Sequence, residues 1–152
     1  MVKVVFVCLG NICRSPMAEG LFRKEVAEAG LTNVIEIDSA ATGTWNLGNP
    51  PHRGTRAVLK KHGIDYQAMR ARKVTEADFK DADYIIGMDQ NNLADLNALN
   101  NNSGVIIRSL MSFVPGQEEK DIPDPYYTGD FDETERMVTE GVKALLAFIT
   151  KK

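Results

Sequence analysis

The sequence predicts an α/β fold in which a single domain is built on a four-stranded parallel sheet with helices on both faces. Three observations carry that expectation. Val2 to Val7 is a nearly unbroken run of β-branched and aromatic residues, the composition of a strand covered on both sides. Strand-like and helix-like segments then alternate along the chain, which implies right-handed crossovers and parallel pairing. A glycine-containing loop, Cys8 to Ser15, joins the first strand to the first helix, where an open parallel sheet places its ligand crevice.

The elements follow in order. Pro16 is expected at the first helical position, where its missing N–H costs nothing, and Leu21, Phe22, Val26 and Ala29 recur at helical spacing until Gly30. Val34 to Asp38 reads as a second strand, and Arg53 to His62 as a helix stopped by Gly63. Thr75-Glu76-Ala77-Asp78 suggests the start of a short helix. Tyr84 to Met88 is a third buried strand, and Asp89 suits the cap of a helix carrying Leu93, Leu96 and Leu99. Val105 to Ile107 supplies the fourth strand. Beyond a proline-containing segment, Pro115 to Tyr127, Met137, Val138, Val142, Leu145, Leu146 and Ile149 mark a last amphipathic helix. No repeat or linker interrupts the pattern, so residues 1–152 are expected to form one domain.

A chain of 152 residues can bury a core without disulfide or metal staples, and 43% hydrophobic with 26% charged residues is ordinary for a folded protein. The net charge of −3 leaves no basic stripe for nucleic acid, so affinity for an anion has to come from a local site. The apolar stretch Val2 to Leu9 is too short for a signal-peptide core, and no export or membrane insertion is expected. Two cysteines five positions apart make no structural framework; they point to a reducing, cytoplasmic setting and to chemistry.

That chemistry is concentrated in Cys8-Leu9-Gly10-Asn11-Ile12-Cys13-Arg14-Ser15. Gly10 permits an unusual turn, after which successive main-chain N–H groups and the start of a helix form an anion-binding concavity, here a phosphate-binding loop. Arg14 offers a planar fork able to hold two phosphoryl oxygens. The same positive field favours the thiolate of Cys8, which is the nucleophilic form, and Ser15 is positioned in sequence to donate a hydrogen bond to it. No histidine base, metal or cofactor is called for. On composition alone Cys8 also suits a small buried apolar residue at a strand end, and Asp124 before Pro125 an ordinary turn.

The segment from Val7 to Glu19, Val-Cys-Leu-Gly-Asn-Ile-Cys-Arg-Ser-Pro-Met-Ala-Glu, and the later Asp124-Pro125-Tyr126-Tyr127 resemble the low-molecular-weight protein tyrosine phosphatases. Ser39-Ala40-Ala41, Trp45-Asn46, His62-Gly63-Ile64 and Met88-Asp89 extend the resemblance over nearly the whole chain. It implies hydrolysis of phosphotyrosine in proteins and of small aryl phosphates. Cys8 would be the nucleophile that becomes a phosphocysteine, Arg14 the phosphoryl clamp, and Asp124 the general acid and then the base. Trp45, Tyr126 and Tyr127 would wall the substrate ring, Asn11 and Ser39 would hold the loop, and inorganic phosphate or other oxyanions would inhibit. Cys13 stands open between a redox partner that forms a disulfide with oxidised Cys8 and a packing residue.

One departure from the family pattern is Met69-Arg70-Ala71-Arg72, where many members carry a histidine two residues before an Ala-Arg pair. Competing readings are a thiol-dependent arsenate reductase, which passes oxidation to cysteines further along, a phosphocysteine carrier that needs neither Arg14 nor Asp124, and a phosphoprotein-binding module without catalysis. No cysteine follows Cys13.

Overall fold

The structure is a computed structural model that describes residues 1–151. Four strands, β1 (Val2–Cys8), β2 (Ile35–Ala41), β3 (Tyr84–Gly87) and β4 (Ile106–Ser109), form one parallel sheet in the order β2-β1-β3-β4. Six helices accompany them among the described residues: α1 (Arg14–Glu28), α2 (Arg53–Lys61), α3 (Glu76–Asp81), α4 (Gln90–Leu99), α5 (Pro125–Thr128) and α6 (Phe131–Thr150). β1 lies inside the sheet, with Val5 opposite Asp38 on one side and Ile85 on the other.

The unbroken apolar run of β1 is explained by its two covered faces. Val4 and Phe6 join Met17, Phe22, Val138 and Val142 in a core beneath α1 and α6. Val5 and Val7 face the opposite way, onto Phe79, Ile85 and Leu96 beneath α3 and α4. Because β2 and β3 flank β1, the chain leaves β1 toward one edge and returns on its other side. The crevice at such a reversal of strand order lies at the carboxyl ends of β1 and β3, and Cys8 and Asp89 stand there.

Several boundaries move for identifiable reasons. α1 begins at Arg14, not Pro16, so Pro16 is its third residue; that position still lies within the first turn, where an N–H has no intrahelical acceptor. Its end is as expected: Gly30 at φ 74° lets Gly30 N–H donate to Ala27 O and Leu31 N–H to Val26 O, a Schellman closure. β2 starts one residue later than Val34 and runs on to Ala41, carrying Ser39 into the sheet. β3 stops one residue before Met88, and β4 is shifted to Ile106–Ser109. The short helix α5 was hidden by its own brevity, and a 3₁₀ turn over Leu110–Phe113 also went unpredicted.

Phe22 is fully buried and meets Phe6 edge-to-face with centroids 5.5 Å apart. Phe22→Ala is expected to cost about 3–5 kcal/mol, the usual range for a buried phenylalanine, read as a lower urea midpoint with an unchanged slope.

Candidate active site

The loop after β1 is turned inside out relative to an ordinary turn. Its carbonyls are engaged by the surroundings: Cys8 O accepts from Thr42 N–H at 3.1 Å, Leu9 O from Gly43 N–H at 2.9 Å, and Ile12 O from His52 N–H at 2.7 Å. Cys13 O accepts from Met17 N–H and from the Thr55 hydroxyl at 3.0 Å. Among the described residues, the N–H groups of Gly10, Ile12, Cys13, Arg14 and Ser15 find no acceptor, while Asn11 N–H points to the Cys8 sulfur at 3.3 Å. Donors left on the concave side of a loop that runs into a helix make an anion cradle.

Two residues allow that shape. Asn11 takes φ 56°, the left-handed region that asparagine tolerates better than most residues. Gly10 lies so close to Asn46 that a Cβ there would come within 2.7 Å of its Nδ2. Asn11 is then tied down by its side chain, whose Nδ2 donates to Ser15 Oγ at 2.8 Å and to Ser39 Oγ at 3.0 Å, and whose Oδ1 accepts from the Arg72 main-chain N–H at 3.1 Å. Ser15 Oγ in turn lies 3.0 Å from Cys8 Sγ.

Arg14, 2% exposed, is held by groups from outside the loop. Its Nη1 donates to Asp89 Oδ2 at 2.6 Å and to Ile122 O at 2.8 Å, and its Nη2 approaches Asp124 Oδ2 at 3.4 Å. Burial works against the guanidinium charge, but Cys8, Asp89 and Asp124 together outweigh it and raise the Arg14 pKa above its ordinary value. Its Nε is buried and has no partner among the described residues.

Cys8, Leu9, Gly10, Ile12 and Cys13 floor a cleft of about 260 Å³, and Trp45, Asp124, Tyr126 and Tyr127 rise around it. Trp45 is 76% exposed, as befits a rim; Gly43 leaves room for its ring, which any side chain at 43 would displace. Asp124 caps α5, accepting from Tyr126 N–H at 3.1 Å, which presents the carboxylate at the cleft mouth. Cys13 sits within the loop as N-cap of α1. Burial first, then the neighbouring charges of Cys8 and Asp124, push its thiol up to about 12. Cys8, Cys13, Trp45, Asp124, Tyr126 and Tyr127 thus line one cleft, whereas Arg14 and Ser15 are buried and Asn11 and Ser39 face a second cleft.

A larger cleft of about 670 Å³ is bounded by Asn11, Glu19, Ser39, His62, Met69 and Arg70, and contains none of Cys8, Arg14 or Asp124. Met69 is half-buried in that wall, and from this segment it is the main-chain N–H of Arg72 that reaches the loop, donating to Asn11 Oδ1. The Arg72 side chain is itself fixed by Asp78 at 2.9 Å and Asp38 at 3.0 Å.

Three contributors were missed in the sequence. Asp89, a helix cap within the Met88-Asp89 part of the resemblance, has no site role assigned by the sequence, yet it splits its oxygens, Oδ1 accepting from Asn92 N–H at 2.8 Å while Oδ2 holds Arg14. Arg72 was passed over because its main chain, not its side chain, makes the contact. Glu19, 5% exposed, accepts from Ser39 Oγ at 2.6 Å and pairs with Arg23 at 2.6 Å. Burial raises its carboxyl pKa despite those two partners. The available signal was its place in the motif and the i,i+4 spacing to Arg23.

A sulfur at the base of an anion cradle, with a buried arginine beneath and a carboxylate above, places the molecule among cysteine-based phosphatases. The low molecular weight phosphotyrosine protein phosphatase profile matches residues 3–152, and the chain belongs to that family. It is 47% identical to the low molecular weight protein-tyrosine-phosphatase YfkJ of Bacillus subtilis, covering all of this chain and 98% of the relative. The crystal structure of YfkJ superposes with a TM-score of 0.95 over 99% of this chain and 96% of that one. PtpA of Staphylococcus epidermidis is 44% identical over 99% of this chain and 96% of its own length. A protein tyrosine phosphatase from Entamoeba histolytica, 30% identical, superposes at 0.91 over 99% of this chain and 98% of that one.

Asp89→Asn keeps a good helix cap but leaves one side-chain oxygen for two donors, and it removes the charge facing Arg14. Turnover of an aryl phosphate is expected to fall about tenfold or more, with a stability loss of about 1 kcal/mol by thermal unfolding.

Proposed function

We propose that the chain, acting as one phosphatase domain over residues 1–152, hydrolyses phosphotyrosine in proteins and small aryl phosphates through a phosphocysteine on Cys8. The observation that carries this reading is the unpartnered, buried Nε of Arg14 beside a loop whose free N–H groups converge above Cys8. A buried donor without a protein acceptor is costly, and an external phosphoryl oxygen would satisfy it. The tetrahedral, dianionic shape of a phosphate monoester matches a cradle with donors on several sides.

In the first step the Cys8 thiolate attacks phosphorus in line, the S–P bond forms and the P–O bond to the aryl group breaks. Protonated Asp124 delivers its proton to the leaving oxygen. In the second step the Asp124 carboxylate takes a proton from water, whose oxygen attacks phosphorus. The S–P bond breaks, and inorganic phosphate and the thiolate are released. Arg14 and the loop N–H groups hold the equatorial oxygens in both steps, and Ser15 supports the sulfur as nucleophile and as leaving group. The aromatic rim of Trp45, Tyr126 and Tyr127 suits a planar ring and a reach longer than a phosphoserine has.

Inorganic phosphate and similar oxyanions would occupy the same cradle as inhibitors. A net charge of −3 gives nucleic acid no extended patch. No helix among the described residues is long and apolar enough to cross a membrane. Two free, buried cysteines in the reactive loop accord with a reducing cytoplasm.

A pre-steady-state assay with an aryl phosphate tests the reading: wild type should release a burst of phenol equal to the enzyme present. Cys8→Ser should give neither burst nor turnover, and turnover retained in that variant removes Cys8 from the reaction. Asp124→Ala should be slower by roughly 10²–10⁴-fold, least for the most acidic phenols. The same deficit for every phenol would mean that the proton comes from elsewhere.

Cys13 is proposed as the redox partner. Peroxide converts the Cys8 thiolate to a sulfenic acid, and the Cys13 thiol then displaces water to form a disulfide. Loss of the Cys8 charge removes one of the influences that hold the Cys13 thiol near 12. Wild type inactivated by peroxide should regain activity with a dithiol, whereas Cys13→Ser should not. Equal recovery, with no crosslinked peptide by mass spectrometry, would leave Cys13 as packing.

A further inference from the structure

We propose that His52 is a positioning residue that fixes the aromatic wall at Tyr126 relative to the anion cradle, and so sets how tightly the cleft holds the ring of an aryl phosphate. The inference rests on the reading of that cleft as an aryl phosphate site and adds to it a side chain that does not line it.

The wall needs such a support. The helix that carries Tyr126, α5, has four residues, of which Pro125 alone is buried, and Tyr126 itself is 57% exposed. Among the described residues its ring meets Tyr127, with centroids 5.1 Å apart and planes at 82°, and His52, with centroids 6.1 Å apart and planes at 83°. Tyr127 is the next residue of the same short helix and moves with it. His52 belongs to another segment and ties Tyr126 to something outside α5.

His52 is itself firmly held. Its main-chain N–H donates to Ile12 O at 2.7 Å, which fastens the residue to the loop that floors the cleft. Its Nδ1 accepts from Gly54 N–H at 3.0 Å as the cap of α2. A main-chain N–H can only donate, so Nδ1 is the nitrogen without a proton, and the orientation of the ring is fixed. The ring stacks on Phe131 with centroids 5.1 Å apart and planes at 22°. Phe131 lies against the cluster of Ile12, Cys13 and Ala71, and it comes so near the cap because residue 54 is glycine: a Cβ there would stand 2.5 Å from the Phe131 ring. His52 thus meets the cradle loop with its main chain and the wall with its ring. A substrate whose phosphoryl group sits in the cradle presents its ring at a fixed reach, so the separation of cradle and wall decides whether that ring is gripped.

Cap and ring can be separated by substitution. His52→Asn keeps a good acceptor for Gly54 N–H and the main-chain bond to Ile12 O, but it has no ring. Benzylphosphonate, which carries a ring, and inorganic phosphate, which does not, read the result as competitive inhibitors. In His52→Asn the inhibition constant of benzylphosphonate should rise about three- to tenfold, the scale of one aromatic pair, while that of phosphate stays within about twofold. The slope that follows the phenol burst, when no aryl group remains in the cleft, should also stay within about twofold. A role limited to holding the fold would instead weaken both inhibitors together and lower the thermal midpoint, which would overturn the proposal.

His52→Phe restores a ring without the cap. It should recover benzylphosphonate inhibition to within about twofold of wild type while its thermal midpoint falls by about 2–4 °C. Should that variant fail to fold, His52→Asn combined with Tyr126→Ala decides: benzylphosphonate should inhibit the pair no more weakly than Tyr126→Ala alone, because the ring that His52 positions is gone. Unchanged benzylphosphonate inhibition in His52→Asn, no recovery in folded His52→Phe, or losses that multiply in the double variant would each overturn the proposal. A wild type without a phenol burst removes the aryl phosphate reading and this inference with it, whereas failure of these variants in an enzyme that gives the burst removes the role of His52 alone.

Discussion

The site depends on one constraint: a loop whose N–H groups converge on an anion must find partners for its carbonyls elsewhere. Four of its carbonyls meet that demand. The segment after β2 takes Cys8 O and Leu9 O, the approach to α2 takes Ile12 O, and α2 itself reaches Cys13 O through Thr55. The extension of β2 to Ala41 and the position of α2 follow from the same requirement. Were the carbonyls unpaired, each would cost about 1–3 kcal/mol on burial, and a loop of this shape would not persist.

Electrostatics add a second layer. A buried guanidinium is tolerated because carboxylates and a carbonyl take two of its nitrogens, and because Cys8 adds to the influences that favour its charge. The balance is incomplete at Nε, which is buried without a partner among the described residues. Asp89 and Asp124 do not contribute equally. Both are helix caps of similar exposure, but Asp89 meets Arg14 at 2.6 Å and Asp124 only at 3.4 Å.

Much of this was legible in the sequence, for physical reasons that differ by region. β1 announced itself because burial on both faces forbids polar interruptions, and α1 and α2 ended where Gly30 and Gly63 permit a left-handed residue. The loop that floors the cleft was legible because its cysteine, glycine and arginine fall within the eight consecutive positions Cys8 to Ser15. Hidden contributors act through tertiary contacts. Arg72 serves through a main-chain N–H, which any residue but proline carries, and its sequence neighbourhood offers no sign of that duty. Asp89 looked complete as a helix cap because one oxygen suffices for a cap, and nothing local tells what the other oxygen touches. α5 escaped because four residues are too few to show a period.

The residues that begin helices are also those that build the site, and the sheet explains why. In a parallel sheet each strand's carboxyl end is followed by a crossover, so helix N-termini gather at the same edge as the crevice. Cys13 starts α1, Asp89 starts α4 and Asp124 starts α5, and all three lie beside Arg14 or the cradle. A cap already holds its side chain rigidly against main-chain donors, so a carboxylate placed there retains a second oxygen in a defined direction at little further entropic cost. Capping thus supplies precision that a surface carboxylate on a free rotamer lacks. It also lets an acidic chain keep a local affinity for anions, because the donors that attract the anion belong to the backbone and do not alter the net charge.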